Sequence, residues 1–208
     1  MGRVWVVVVA AGAGRRFGGA KQYEALAGRR VLDWSLEAAR AIAAGVVVVV
    51  APDRVGDDEP AADAVVAGAG TRSASVRAGL AAVPDDAAVI VVHDGARPLA
   101  GADLFTAVVD AVVGGADAAV PGVPVDDTLR ARAGGVVDRD GLVAVQTPQA
   151  FRAAALRKAH AGGGEATDDA SLVEAEGGKV VVVDGSPTNL KITRPRDLVV
   201  AEALLRAR

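Results

Sequence analysis

Three cations, Arg15, Arg16 and Lys21, follow a turn of small residues near the start of the chain. The turn consists of Ala10, Ala11, Gly12, Ala13 and Gly14. A backbone without bulky side chains lets a ligand approach closely, and fixed cations beside free backbone amides bind phosphate. Because three cations exceed what a pyrophosphate held by amides requires, the pattern favours a more highly charged ligand, such as a nucleoside triphosphate. A tight turn with solvated arginines is the alternative.

Two common phosphate-binding motifs do not fit this turn. A Walker A loop would continue with Gly-Lys-Ser/Thr, which the sequence lacks. A dinucleotide fingerprint, G-x-G-x-x-G, that began at Gly12 would place its third glycine at position 17, where the sequence has Phe17. A dinucleotide-binding regulator or oxidoreductase therefore stays open only as an alternative.

A second group of reactive side chains lies in the segment HDGARP at 93–98. Asp94 is a candidate ligand for Mg²⁺, which prefers carboxylates together with phosphate oxygens, although Asp-Gly is also a common turn pair. Arg97 is placed to bind an anionic group on a second substrate. His93 could serve as a general base, but a reaction whose nucleophile is a phosphate monoester needs none, because the second pKa of such a group is about 6 and it is largely a dianion at neutral pH. We therefore predict a structural role for His93.

Alternating strands and helices are predicted to position both groups. Val4 to Val9 is a continuous β-branched run, which is typical of a strand buried on both faces. Further strands are predicted at 46–51, 89–92, 116–120 and 179–183, and helices at 31–44 (ended by Gly45), 71–83, 102–113, 150–161, 168–176 and 195–206; 61–67 could be either. This order predicts an α/β, Rossmann-like fold, with a mostly parallel sheet and helices on both faces. Ligands of such sheets bind beyond the carboxyl ends of the strands, and both groups follow such ends.

The strand and helix pattern breaks at Pro121. From about 125 to 143 the chain is polar, charged and rich in turn signals, such as Gly134-Gly135 and Asp140-Gly141. We predict a protruding β-arm here, within a single domain that spans residues 1–208.

The composition limits the class of protein. The chain of 208 residues is 51% hydrophobic and 3% aromatic, which suits Val-rich strands covered by Ala-rich helices. A net charge of −3 without a cationic run gives no indication of nucleic-acid binding. The absence of cysteine excludes disulfides and thiolate metal sites. No apolar run approaches about 18 residues, so we expect no membrane span, and a cytoplasmic enzyme fits better than a secreted one with a signal peptide.

The segment AAGAGRRF…KQY resembles the signature loop of nucleotidyltransferases that move a nucleoside monophosphate onto a phosphorylated small molecule. Within that superfamily the chain most resembles the 2-C-methyl-D-erythritol 4-phosphate cytidylyltransferase family of the non-mevalonate isoprenoid pathway. Similar motifs follow in the family's order: TRSASV at 71–76, HDGARP at 93–98, TPQ at 147–149 and NLKITRP at 189–195. The resemblance implies transfer of CMP from CTP to 2-C-methyl-D-erythritol 4-phosphate, with release of pyrophosphate and with Mg²⁺ as cofactor.

The resemblance also implies a role for each matched residue. CTP would be bound by Ala10, Ala11, Gly12, Ala13, Gly14, Arg72 and Ser75. The catalytic cations would be Arg16, Lys21, Arg139 and Lys191. The acceptor would be bound by Arg97, Thr128 and Thr147, and Mg²⁺ by Asp94. In the family the arms of two subunits interlock, so the resemblance implies a homodimer in which Thr128 and Arg139 act at the partner's site.

The sequence departs from the family's pattern at four places, of which the smallest is Gly95 in place of an alanine in the HDGARP segment. Ala69-Gly70-Thr71 replaces a common Gly-Gly-Asp. Thr188 stands where many members have an acidic residue, so the metal site rests on Asp94, the triphosphate and water, or draws on Asp184. Thr167-Asp168-Asp169 resembles Thr-Asp-Glu, and we predict only that it caps a helix.

Two other functions within the same motifs stay open. A cytidylyltransferase for another polyol phosphate, such as ribitol 5-phosphate, would share the glycine turn and the HDGARP segment. A catalytically inactive homologue is the other, although the intact Arg16, Lys21, Asp94 and Lys191 argue against it.

Overall fold

A computed structural model describes residues 2–207 of the chain. The strands are β1 (Arg3–Val9), β2 (Ala25–Leu26), β3 (Arg29–Arg30), β4 (Gly45–Val50), β5 (Ala64–Ala67), β6 (Ala87–Asp94), β7 (Ala118–Pro124), β8 (Leu129–Arg130), β9 (Val136–Val137), β10 (Val143–Val145), β11 (Gln149–Arg152) and β12 (Val180–Asp184). The helices are α1 (Val31–Arg40), α2 (Arg72–Ala81), α3 (Ala102–Val113), α4 (Ala153–Ala161), α5 (Asp169–Ala175) and α6 (Pro195–Arg206). Short 3-10 helices span Lys21–Tyr23 and Pro52–Arg54.

In residues 2–207, a sheet of eight strands runs in the order β10-β7-β11-β6-β1-β4-β5, with β12 paired to β7. Strand β1 lies between β4 and β6 and is parallel to both. Strands β4 and β5 are parallel, as are β7 and β12, whereas β10 and β11 run antiparallel to their neighbours. The predicted α/β fold with a mostly parallel sheet is therefore confirmed.

Helices cover both faces of the sheet because alternate residues of a strand point to opposite sides. Val7 packs in the same buried cluster as Val76 of α2 and Leu156 of α4. Val6 and Val8 join the opposite cluster, which also contains Leu32 of α1 and Phe105 of α3. A valine fully buried in this way contributes about 1.5–3 kcal/mol of transfer free energy. The continuous valine run of β1 thus contributes side chains to the hydrophobic clusters on both faces of the sheet.

Helix α1 is shorter than predicted, and the prediction that Gly45 ends it is wrong. The helix ends at Arg40, and Gly45 is the first residue of β4. The Ala44 N–H donates to the carbonyl oxygen of Val4 (2.9 Å), which leads the chain into the sheet. A Cβ at position 45 would lie 2.4 Å from the ring of Trp5, so the close approach of this ring, and not a helix cap, requires glycine.

The predicted break at Pro121 is also wrong, since β7 continues through it to Pro124. The chain then leaves the sheet and returns as β10 and β11, two antiparallel strands that the sequence analysis missed. Residues 149–152 therefore form a strand, and α4 begins only at Ala153. Phe151, which is fully buried in the core, explains why this short segment pairs in the sheet.

Between Pro124 and Val143 the chain forms a small hairpin outside the sheet. Strands β8 and β9 pair antiparallel, and Gly134 and Gly135 between them have φ values of 110° and 85°. Val136 and Val137 of β9 are exposed. None of the helices in residues 2–207 is long and apolar enough to cross a bilayer.

Candidate active site

The glycine turn and Asp94 meet at one edge of the sheet. Val9, the last residue of β1, pairs with Asp94, the last residue of β6. A cavity of about 540 Å³ opens beyond these two strand ends. Of the predicted residues, its lining contains Ala10, Ala11, Gly12, Ala13, Lys21, Arg72, Ser75, Asp94 and Lys191. The structure therefore brings most of the predicted nucleotide site together.

The turn is held in shape by glycine and by a buried amide. Gly14 has a φ of 63°, and a Cβ there would lie 1.7 Å from the carbonyl oxygen of Gly19. The Gln22 side chain donates to the carbonyl oxygens of Ala10 (2.6 Å) and Gly12 (3.3 Å). Gln22 was not among the predicted site residues, although it belongs to the KQY end of the matched loop. It fixes the backbone that the ligand would meet.

The cations after the turn differ in their placement. Lys21 and Arg15 line the cavity. Burial, followed by the nearby Lys191, lowers the pKa of Lys21 below its usual value. Arg16 is exposed and, in the part of the chain that the structure describes, lies outside the lining of this cavity. The structure thus places Arg15, to which the family resemblance assigns no role, in the cavity lining and Arg16 outside it.

Asp94 is surrounded by cations. Lys191 Nζ lies 2.6 Å from Oδ2, Arg72 Nε 3.5 Å from Oδ1, and Arg97 Nε 4.0 Å from Oδ2. Burial raises the pKa of Asp94, but Lys191 and then Arg72 more than offset this and hold the pKa well below its usual range. Asp94 is therefore ionised at neutral pH, and the cations around it outnumber it. Such an imbalance favours an anionic ligand.

A second cavity of about 340 Å³ adjoins the first. Arg72, Asp94 and Lys191 line both, and Arg97 and Thr147 line the second. Two cavities that meet at one cluster of charges suit a reaction between two phosphorylated substrates.

Arg97 and Thr147 both lie at the predicted acceptor side, but each also makes hydrogen bonds within the protein. Arg97 Nη1 donates to the carbonyl oxygen of Asn189 (2.7 Å), and burial lowers the pKa of Arg97. The Thr147 hydroxyl accepts from the Asp94 N–H (3.0 Å) and lies 3.1 Å from His93 Nδ1. Thr147 therefore positions Asp94, in addition to any contact with a substrate.

His93 has the surroundings of a structural residue. It is fully buried, and its ring packs against Phe105 with 4.9 Å between the centroids. Burial lowers the pKa of His93 to about 3. A ring that is neutral at pH 7 and bonded to Thr147 orients the strand end, which agrees with the predicted structural role.

Ser75 shapes the loop that closes the nucleotide cavity. Its hydroxyl accepts from the Ala69 N–H (3.0 Å) and donates to the Thr71 carbonyl oxygen (2.8 Å). Ser75 is buried, whereas Gly70 and Thr71 line the cavity as exposed residues. Any recognition of a base here involves a backbone that Ser75 holds in place.

Arg72 has a second acidic partner that the sequence analysis missed. Its Nη1 donates to Oδ2 of Asp169 at 2.7 Å. Burial lowers the pKa of Arg72, but Asp169 and then Asp94 raise it above the usual value. Asp168 caps α5 by accepting from the Ser171 N–H (3.2 Å), as predicted for this segment, whereas Asp169 points inward and is fully buried.

The two arm residues do not reach either cavity of their own chain. Within residues 2–207, neither Thr128 nor Arg139 lines the first or the second cavity. Arg139 Nη1 instead donates to the carbonyl oxygen of Asp126 inside the arm. Their predicted contacts with substrate would therefore require a second chain.

Asp94 is the acidic residue that fits the predicted Mg²⁺ site. Mg²⁺ is commonly held by one or two carboxylates together with substrate phosphates, and Asp94 lines both cavities. Asp184 and Thr188 line a different cavity, of about 450 Å³. The alternative that draws on Asp184 is therefore not supported. The described residues contain no cluster of three or more metal-ligating His, Cys or acidic side chains.

Comparisons with known proteins agree with this geometry. The family profile described as IspD, 2-C-methyl-D-erythritol 4-phosphate cytidylyltransferase, matches residues 4–207. The chain is 44% identical to the 2-C-methyl-D-erythritol 4-phosphate cytidylyltransferase of Streptomyces coelicolor, over 99% of this chain and 86% of that protein. The crystal structure of the 2-C-methyl-D-erythritol 4-phosphate cytidylyltransferase from Thermus thermophilus superposes with a TM-score of 0.83 at 41% identity, and covers 96% of this chain and 98% of that one.

Some relatives are about twice as long. The bifunctional enzyme IspD/IspF of Dinoroseobacter shibae is 44% identical over 99% of this chain, which spans only 54% of that protein. The match nevertheless extends along nearly the whole of the present chain, and the resemblance inferred from the motifs is confirmed. The chain belongs to the 2-C-methyl-D-erythritol 4-phosphate cytidylyltransferase family.

Proposed function

We propose that this chain is a CTP-dependent cytidylyltransferase that transfers CMP from CTP to 2-C-methyl-D-erythritol 4-phosphate and releases pyrophosphate. One observation carries the proposal: two cavities meet at Asp94, Arg72 and Lys191, and the glycine turn and Lys21 line one of them. Family membership over residues 4–207 supports the same activity. The first cavity would take CTP, and the second would take the acceptor.

The triphosphate lies against the turn. Backbone amides of residues 11–14 donate to phosphate oxygens, and Arg15 and Lys21 supply positive charge from the lining. The nucleoside lies against the loop at 69–71, which Ser75 holds. Placing the triphosphate at the strand ends brings its α-phosphorus toward Asp94 and the second cavity.

The chemical step needs no general base. A phosphate oxygen of the acceptor attacks the α-phosphorus of CTP, and a new P–O bond forms. The bond from the α-phosphorus to the bridging oxygen of the β-phosphate breaks, and pyrophosphate leaves with that electron pair. The acceptor phosphate is already largely a dianion at neutral pH, which leaves His93 free to be structural.

Catalysis is mainly positioning and electrostatics. Lys21 neutralises the charge that gathers at the phosphorus, and Arg16 would do so after turning inward from its exposed position. Lys191 lines both cavities, so it orients the acceptor phosphate toward the first cavity. Arg97 adds a further positive charge on the acceptor side.

Asp94 would hold Mg²⁺, which when bound neutralises the charge of the phosphates. The ionised state of Asp94 at neutral pH suits this role. Lys191 is the nearest cation to Asp94, at 2.6 Å, so the carboxylate would be shared between Lys191 and a metal ion.

The active form is a homodimer joined through the arm, residues 125–143. The arm carries Thr128 and Arg139 away from the cavities of its own chain, and its valines at 136 and 137 are exposed. A second copy would cover this apolar surface and receive both side chains at its own acceptor site. In a dimer with two-fold symmetry, each arm contacts the partner's acceptor site in the same way, so both sites are completed.

The function is tested by pyrophosphate release with Mg²⁺ and CTP, comparing 2-C-methyl-D-erythritol 4-phosphate, ribitol 5-phosphate and no acceptor. We expect release with the methylerythritol phosphate alone. Release with ribitol 5-phosphate alone would keep the mechanism and change the acceptor. No release with either acceptor, with any of the four nucleoside triphosphates, would overturn the function.

A further inference from the structure

Arg72 occupies the boundary between the two cavities and is fixed from both sides. It is the first residue of α2 and lines both cavities. On the open side its Nε lies 3.5 Å from Oδ1 of Asp94. On the inner side its Nη1 donates to Oδ2 of Asp169 at 2.7 Å, and the Asp169 side chain is 0% exposed. A buried carboxylate thus faces the guanidinium from behind the site.

Asp169 is itself held in place by a histidine. His160 Nε2 lies 3.0 Å from the second carboxylate oxygen, Oδ1. Because a carboxylate oxygen only accepts hydrogen bonds, the proton lies on Nε2. Asp169 begins α5 and His160 lies in the last turn of α4. Both oxygens of Asp169 therefore have a partner, and the carboxylate cannot turn without losing one of them.

The segment that carries Asp169 is also bonded to α2. The Ala166 N–H donates to the Ser73 hydroxyl at 3.1 Å, and Arg77 Nη1 donates to the Gly164 carbonyl oxygen at 2.9 Å. These contacts join the loop before α5 to the first turns of α2. The position of Arg72 is thereby set by α2, α4 and α5 together.

The charge balance explains why a second carboxylate is needed. Asp94 also faces Lys191 and Arg97, so its single negative charge is divided among three cations and only partly neutralises Arg72. The Arg72 side chain is 24% exposed, and a largely buried cation without a partner is costly. Among the ion pairs of residues 2–207, Asp169 supplies Arg72 with a partner that neither Lys191 nor Arg97 shares.

The geometry points to Asp169, supported by His160, as a positioning residue that fixes the Arg72 guanidinium at the junction of the nucleotide and acceptor cavities. This role rests on the proposed function, because its kinetic meaning depends on the two substrates meeting there. Asp169 itself lines neither cavity, and its contact with the lining is through Arg72. Loss of the Asp169 carboxylate should therefore lower kcat/KM only in a protein that retains Arg72.

A double-mutant cycle tests this dependence. Asp169→Asn keeps the size of the side chain and removes its charge, and it is combined with Arg72→Ala. We expect kcat/KM for CTP to fall about tenfold or more in Asp169→Asn, since small misplacements of a positioned group cost this much. In the Arg72→Ala background the same change should cost less than about twofold. An equal loss in both backgrounds, or no loss in the first, would overturn the inference.

The dissociation constant for CTP, measured by calorimetry without acceptor, gives a readout that does not require turnover. The same non-additive pattern is expected there. Wild-type protein that binds CTP but releases no pyrophosphate would contradict the proposed function alone, and the cycle on CTP binding would still decide the role of Asp169. Wild-type protein that does not bind CTP would overturn both.

Glu59→Gln is the matched control for loss of a buried carboxylate. Glu59 Oε2 pairs with Arg30 Nη2 at 2.8 Å, its side chain is 0% exposed, and it lines neither cavity. We expect its kcat/KM to stay within about twofold of wild type even if its melting temperature falls. A loss as large as that of Asp169→Asn would attribute both effects to stability and contradict the inference.

Two substitutions separate the hydrogen bond of His160 from its bulk. Gln in place of His160 can present an N–H at the position of Nε2, whereas Leu fills the space without a donor. We expect His160→Gln to keep most of the activity and His160→Leu to lose several-fold in kcat/KM for CTP. Equal activity in the two variants would remove His160 from the positioning role.

Discussion

Lys191 Nζ lies 2.6 Å from Oδ2 of Asp94, across 97 positions of sequence. The contact is reinforced by the next residue, because the Ile192 N–H donates to the Ala96 carbonyl oxygen at 2.8 Å. The segment before α6 is thereby attached to the loop after β6. As a result, a lysine from near the end of the chain lies between the two cavities.

Replacing Lys191 by Met should lower kcat/KM for the acceptor on the order of 10²-fold, because one preorganised cation facing the reacting phosphates is lost. Steady-state kinetics with varied acceptor measure this. Lys158→Met is the control, since Lys158 pairs with Glu176 at 3.1 Å and its side chain is 66% exposed. Wild-type kinetics in Lys191→Met would remove Lys191 from the acceptor site.

Replacing Lys21 by Ala should reduce kcat on the order of 10²-fold, because Lys21 lines the nucleotide cavity and carries charge toward the triphosphate. We expect a loss of similar size in Arg16→Ala, which requires the exposed Arg16 to turn inward when CTP binds. Single-turnover rates at saturating CTP report the chemical step. Undiminished turnover in Arg16→Ala, combined with a large loss in Arg15→Ala, would transfer the role to Arg15.

Mixing two impaired variants should restore activity if the arm serves the partner's site. Arg139→Ala damages the arm, and Lys21→Ala damages the nucleotide site. After subunit exchange, half of the dimers are mixed and each has one intact site, so about a quarter of wild-type activity should return. Pyrophosphate release before and after mixing measures this. If Arg139 acted within its own chain, activity would not recover.

Stability should decrease as the pH falls from 6.5 toward 5 because of His93. Burial lowers the pKa of His93 to about 3 in the folded protein, so the unfolded chain binds the extra proton first and the free energy of unfolding rises with pH across this window. The contribution of His93 between pH 6.5 and 5 is about 2 kcal/mol. The pKa of Asp94 is also lowered, but its effect falls below pH 4, outside this window.

Urea unfolding at several pH values tests this contribution. His93→Asn removes the titrating group while an amide can still bond to Thr147. We expect a smaller change in the free energy of unfolding between pH 6.5 and 5 in this variant than in wild type. Identical pH dependence in the two proteins would show that His93 does not titrate as its burial requires.

Much of the fold follows from local patterns. The valine runs of β1 and β4 predict buried parallel strands because few other structures accommodate so many β-branched residues. Helices α3 and α6 occupy the predicted residues, and Pro195 in the first turn of α6 supports that boundary. The fold class and the two strand ends that carry the site were therefore predictable.

The secondary-structure predictions were wrong where contacts between residues far apart in sequence override the local conformational preference of the chain. Residues 149–152 have no strong strand pattern, but they fill the gap between β6 and β7 and become β11. Pro121 has the local pattern of a strand end, although Pro121 itself pairs with β12 and the next residue, Gly122, pairs with both β10 and β12. Gly45 has the local pattern of a helix end, whereas the Trp5 ring that requires glycine there is forty positions away in sequence.

The sequence by itself determined which chemical groups are available: a glycine turn, cations after it, a carboxylate at a strand end and the family to which these motifs belong. Tertiary structure alone decided which of them meet. Arg15 rather than Arg16 lines the cavity, and Asp184 lies at a different one. Asp169 became a partner of Arg72 only because the loop before α5 is bonded to the first turns of α2. Spacing along the chain predicts local geometry, whereas contacts across 97 positions depend on how whole elements pack.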